Sequence, residues 1–296
     1  MTSQEKSPGR GTYQFTQEER PATPGSPFSP RLSARRRVAY VGIAILTGTC
    51  STFANALVTV NVGTIAGSLG LYVEQASWLP AIYVAMNASA NLTLVKARAQ
   101  FGIPAVMFYL LIAYGAAGLV QFLAPGFPAA VATRAASGML AAALVTITIY
   151  YLLQVFPLKL RPIAVVIGMG LSQLGTPLAR LVPVELLAAN SWRGLHLIEL
   201  AVALGLAAAL SAFPLPPTER RKSFELLDLV TIGLATVALL LLCGVLGLGR
   251  LLWWTDAPQL GWQLAVAIVL SMLVAVIEVR RAHPLIKLGW LGSTNI

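Results

Sequence analysis

Arg134 and Glu199 each stand about six residues inside a long apolar run, roughly 9 Å along a helix at 1.5 Å per residue. An ionisable side chain at that depth is costly, so it marks a polar cavity or a conduction pathway. A carboxylate and an imidazole both change charge near neutral pH when their surroundings shift them. Glu199 with His196, one turn earlier, therefore has the chemistry of a proton carrier, and Arg134 that of a cavity-lining cation. The plainer reading is a structural ion pair of Glu199 with Arg134 or Arg180, or an Arg134 that snorkels to the headgroups. Arg180 and Glu185 are expected nearer the outer surface, in interfacial roles.

Thr52, Asn55 and Thr59 share one helix face by spacing, and Asn87 and Asn91 share another. They fit either a cavity lining or hydrogen bonds between helices. Gly168, Gly170, Gly175, Pro177 and Pro183 make one segment easy to bend and to pack closely. Asp228 and Glu278 fall beside basic loops and are expected to form interfacial ion pairs. No nucleophile–base set, metal-ligand cluster or phosphate loop is visible, so neither an enzyme nor a cofactor is expected. Cys50 and Cys243 fall inside apolar segments and read as small buried residues.

The elements that must carry these side chains are membrane helices. The chain is 57% hydrophobic and 11% charged, with mean hydropathy +0.75; a soluble domain carries roughly a quarter charged residues. Runs of about 20 apolar residues cross a hydrocarbon core and must be helical to pair their backbone amides. The runs lack strict alternation and exceed a barrel strand's length. Eight spans are predicted, near 38–62, 77–96, 103–124, 128–153, 162–186, 194–214, 226–250 and 260–279.

Residues 1–37 form a polar, basic tail that cannot bury enough apolar surface to order itself. The net charge of +10 does not point to nucleic acid, because the basic residues sit at helix ends. Lys96, Arg98, Lys159, Arg161, Arg220, Arg221, Lys222, Arg280, Arg281 and Lys287 fall in loops on the tail's side. The positive-inside rule then places both termini in the cytoplasm of a multi-pass inner-membrane protein. Trp78, Trp192, Trp253, Trp254 and Trp262 are expected at the outer interface.

Four stretches carry a family resemblance. Thr64-Ile65-Ala66-Gly67-Ser68-Leu69-Gly70 is followed by Ser77-Trp78 and Tyr83; Arg134-Ala135-Ala136-Ser137-Gly138 precedes Phe156-Pro157 and Arg161; Gly170 leads to Gly175-Thr176-Pro177; and His283-Pro284-Leu285-Ile286 closes the series. In order and spacing they resemble the 14-helix drug:proton antiporters of the major facilitator superfamily, the EmrB/QacA type. The resemblance covers residues 38–296.

It implies an all-α membrane protein in which residues 38–214 form a six-helix N-terminal half. A loop at 215–225 leads to two extra helices over 226–280, and 281–296 leads toward a ninth helix that is missing. It also implies proton-coupled efflux of small amphipathic compounds or drugs. The partners would be the bilayer, a small-molecule substrate, protons and the missing C-terminal half, and a periplasmic adaptor is open. The helix-1 Asp usual in that family is Ala54 here, with Asn55 beside it. The loop motif between helices 2 and 3 has become Val95-Lys96-Ala97-Arg98-Ala99-Gln100-Phe101-Gly102. Coupling would then fall to Glu199. A membrane scaffold or assembly subunit without transport, or an inactive fragment, remains the alternative.

Overall fold

The computed structural model describes residues 32–182, 193–216, 222–281 and 284–285. Pro183, Glu185, Trp192 and His283 lie outside them, as does the side chain of His196. The described residues form helices and no strand: α1 (Ala34–Val60), α2 (Val62–Leu69), α3 (Val73–Phe101), α4 (Ile103–Leu123), α5 (Phe127–Val155), α6 (Arg161–Gln173), α7 (Gly175–Ala179), α8 (Arg193–Ala212), α9 (Leu226–Leu252) and α10 (Pro258–Arg280).

Local chemistry sets their ends. Ser33 caps α1 by accepting from the Arg36 amide, so Arg35, Arg36 and Arg37 belong to the helix rather than to the tail that was expected to reach residue 37. The Thr64–Gly70 motif forms the short helix α2, which Gly70 ends at φ 61°, a conformation that costs glycine little. α3 starts earlier and ends later than expected. The Gln75 side chain accepts from the Tyr72 amide at its start, and Gly102 (φ 83°) ends it. A proline in the first turn opens α4, α5, α6 and α10, where its missing N–H costs nothing.

α5 is the centre of the bundle. It packs against α1, α3, α4 and α6; α1 also touches α6, α7 and α8, while α8 leans on α4. α9 packs on α3, and α10 packs on α9. Among the described residues six segments are long and apolar enough to cross a membrane: α1, α4, α5, Leu158–Ala179, α9 and α10. Burial runs against hydropathy among them. The best window of α5 is 67% buried at hydropathy 1.8, but that of α10 only 11% at 2.4. Lipid tails are as apolar as leucine, so the most hydrophobic helices are the ones the bilayer covers. α3 falls short of the same measure, and the part of α8 from Leu197 to Ala212 is a shorter apolar helix. α3 lies between α5 and α9, which leaves less of its surface to face lipid.

One end of the bundle gathers the basic residues. Tyr40 and Tyr151 stack edge to face at 5.0 Å and donate to the carbonyls of Pro214 and Phe213. Arg36 lies over the Tyr40 ring, and Arg98 over that of Tyr150. Nearby, Gln100 accepts from the amides of Ser223 and Phe224, and the rings of Phe101 and Phe224 meet.

Beside them Lys96 reaches both oxygens of Asp228, at 2.6 and 2.7 Å. Arg281 binds the same carboxylate at 2.6 Å and also reaches Glu278 and Glu225. Lys96, Asp228 and Glu278 are all buried. Asp228 and Glu278 thus form ion pairs beside the basic loops, and being buried they clasp α3, α9 and the residue that follows α10. Burial works against the charge on Arg281, but its bonds to Asp228, Glu225 and Glu278 outweigh that and hold the guanidinium above its ordinary range.

The Trp78 indole packs on Gly244 of α9, at a point where no Cβ would fit. Trp253, Trp254 and Trp262 are exposed, as interfacial rings should be.

Candidate functional site

The bundle brings Arg134 and Glu199 together. Arg134 Nη2 donates to Glu199 Oε1 at 2.6 Å, and both side chains are 3% exposed. α5 supplies the arginine and α8 the carboxylate, so the bond crosses between two separate helices. Of the two expectations for Glu199, the ion pair with Arg134 forms; Arg180 is exposed on the far side of α7. Arg134 does not snorkel. It is buried, and its Nη1 has no hydrogen-bond partner.

Sequence reasoning passed over much of what surrounds the pair. Tyr114, on α4, is buried and lies within electrostatic reach of Glu199, Arg134 and Tyr83. Gln121 is seven residues further along the same helix face and also buried, with its Oε1 unpartnered. The signal was present as Tyr114 and Gln121 at i, i+7 in a helix whose only other polar side chain is Tyr109. Thr133 ties α5 to α4 by donating to the Ala117 carbonyl. A void of about 20 Å³ is lined by Ser51, Tyr83, Tyr114 and Ser137 among apolar neighbours from α1, α5 and α8.

The other candidates divide. Asn55 Oδ1 is buried without a partner, while Thr59 is exposed and bonds back to the Asn55 carbonyl. Asn87 donates to the Gly138 carbonyl and so joins α3 to α5. Asn91 is exposed and donates to the Asn87 carbonyl. Thr52 donates to the Ser172 carbonyl, joining α1 to α6. Asn87 and Thr52 thus serve helix contact, and Asn55 keeps an acceptor free inside the bundle. His196 lies on α8 one turn before Glu199.

The glycines of the fifth span also separate. The helix breaks at Leu174 into α6 and α7. A Cβ at Gly175 would meet Thr52 and the backbone of Phe53 and Thr49, so this glycine lets α7 touch α1. A Cβ at Gly170 would meet nothing, and Pro177 is exposed. Gly175→Ala should therefore cost about 1–3 kcal/mol through overpacking. Gly170→Ala should be neutral or gain about 0.4–1 kcal/mol. Thermal unfolding of the two variants in detergent checks the contrast.

The family rests on more than these motifs. The profile of the Major Facilitator Superfamily matches residues 24–283, most of the chain. The chain belongs to that superfamily. No curated protein matches it. Superfamily membership makes it a multi-pass transmembrane transporter by class, and transporters of this class are not enzymes. Among the described residues no group of three or more His, Cys, Asp or Glu side chains could hold a metal ion, and both cysteines are free.

Proposed function

We propose that this chain is a proton-coupled exporter of small amphipathic molecules, with Glu199 as the coupling carboxylate. The observation that carries the reading is the buried Arg134–Glu199 pair, which joins α5 to α8 within electrostatic reach of the unpartnered Tyr114 hydroxyl. Protonating Glu199 removes the countercharge of Arg134. The two protonation states then differ in how stably α5 and α8 hold together, and a proton can bias a conformational equilibrium only through such a difference.

In this reading eight helices cross the inner membrane, with α3 and α8 joining the six most apolar segments, and the basic end faces the cytoplasm. The six-helix half from α1 to α8 rocks against a second half, with the substrate held between them near the midplane. α9 and α10 are the inserted pair of a 14-helix antiporter. Ala54 leaves the first helix without the usual carboxylate, and that moves the coupling role to α8.

The test is accumulation of a fluorescent cationic dye in an efflux-deficient host that expresses the protein from its full native locus. Cells with the wild-type protein should accumulate less dye than the empty host. Cells with Glu199→Gln should match the empty host at equal protein level. Undiminished export by Glu199→Gln would remove Glu199 from the mechanism. Absence of export by the wild type across a panel of cationic and neutral dyes would remove drug efflux.

A further inference from the structure

We propose that Tyr114 is the proton relay of Glu199, passing protons between a water held in the adjacent void and the carboxylate. This rests on Glu199 being the proton carrier proposed above.

The inference starts from which hydroxyl protons are already committed. Around the void, Tyr83 donates to the Ser51 carbonyl, Ser51 to the Gly48 carbonyl and Ser137 to the Arg134 carbonyl. Their oxygens keep lone pairs as acceptors, but their protons are engaged. The Tyr114 hydroxyl is different. It is fully enclosed and makes no hydrogen bond of good geometry, yet it lies within electrostatic reach of the Glu199 carboxylate. A buried, uncommitted donor beside a carboxylate is costly unless something uses it.

The void is about 20 Å³, enough for one water where two or more polar partners are present. Ser51, Tyr83, Tyr114 and Ser137 supply those partners. The groups that face Tyr114 are Cys50 from α1, Tyr83 from α3, Arg134 from α5 and Glu199 from α8. Among them only Glu199 is an anion that can take the proton.

The step balances without a co-reactant. The Tyr114 O–H bond breaks as an O–H bond forms on Glu199, and the phenol oxygen takes a replacement proton from the void's water once that water has itself been protonated from the aqueous side, so the water ends neutral. Tyr114 ends neutral and Glu199 ends protonated. The reverse sequence discharges the carboxylate. Arg134, hydrogen-bonded to the carboxylate throughout the ionised state, holds it in line for the transfer.

The test is infrared spectroscopy of the purified full chain in lipid nanodiscs. Lowering the pH should bring up a carboxylic-acid C=O band that is absent in Glu199→Gln. On transfer to D2O, that band should shift at once in the wild type. Tyr114→Phe keeps the ring and loses only the hydroxyl, and should slow the shift by roughly a hundredfold, a modest share of what a positioned proton donor contributes. A structural role for the hydroxyl would change stability but not this rate. If Tyr114→Phe does not fold, Ser137→Val fills the same void from α5 and should slow the shift too. A Glu199 band that exchanges equally fast in the variant overturns the relay and leaves Glu199 as carrier. A chain with no Glu199 band at any pH at which it stays folded overturns both.

Discussion

Asp228→Asn should be among the most destabilising single substitutions in the chain, costing about 3–5 kcal/mol, as breaking a buried ion pair typically does. The substitution removes the negative charge that Lys96 and Arg281 share, and Lys96 stays enclosed at 8% exposure. It also weakens the start of α9, because Asp228 accepts from the Glu225 amide at 2.7 Å. The loss should appear as a fall in the unfolding temperature in detergent on the order of 10 °C. Glu225→Gln is the control. Its side chain is 47% exposed, so the pair with Arg281 is worth about 0–1 kcal/mol. Equal loss in the two variants would mean that the buried clasp does not hold α9 to α3.

Removing both members of the Arg134–Glu199 pair should be far milder for stability than removing one. Arg134→Met alone and Glu199→Leu alone each leave a buried charge without its partner, at about 3–5 kcal/mol. The double variant replaces the pair with apolar side chains and should fall within about 1.5 kcal/mol of the wild type, the range of tolerated core swaps. The double variant should nevertheless export nothing. Unfolding temperature and dye accumulation, measured on the same four proteins, separate the two roles. A double variant that folds and still exports would make the pair structural. A double variant as unstable as the singles would mean that the buried Tyr114 hydroxyl cannot tolerate an apolar neighbour.

Much of this was legible in the residues. Long apolar runs are read directly, because in lipid the backbone has few solutions, and the helices lie where those runs fall. Arg134 and Glu199 stood out because an ionisable group in an apolar run is rare, but their spacing left Arg134 and Arg180 equally open as partners of Glu199. Lys96 was harder. It reads as one more basic residue at a helix end, and nothing local distinguishes it from a topology signal; its partner is 132 residues away. Tyr114 was missed for a different reason. A tyrosine in a membrane helix is ordinary, and its importance depends on three other helices delivering Tyr83, Arg134 and Glu199 to its hydroxyl. Gly170 and Gly175 look alike in sequence, and only the approach of α1 to α7 tells them apart.

The separation of Lys96 from Asp228 also sets an order of events during synthesis. At roughly 5–20 residues per second, the 132 residues between them take roughly 7–26 s to emerge. Over that interval α3 is already made while the carboxylate that will enclose its lysine does not exist. Until α9 arrives, Lys96 has to be accommodated without the Asp228 carboxylate. α3, a helix of the six-helix half, therefore completes this ion pair only once α9 of the following pair has been made.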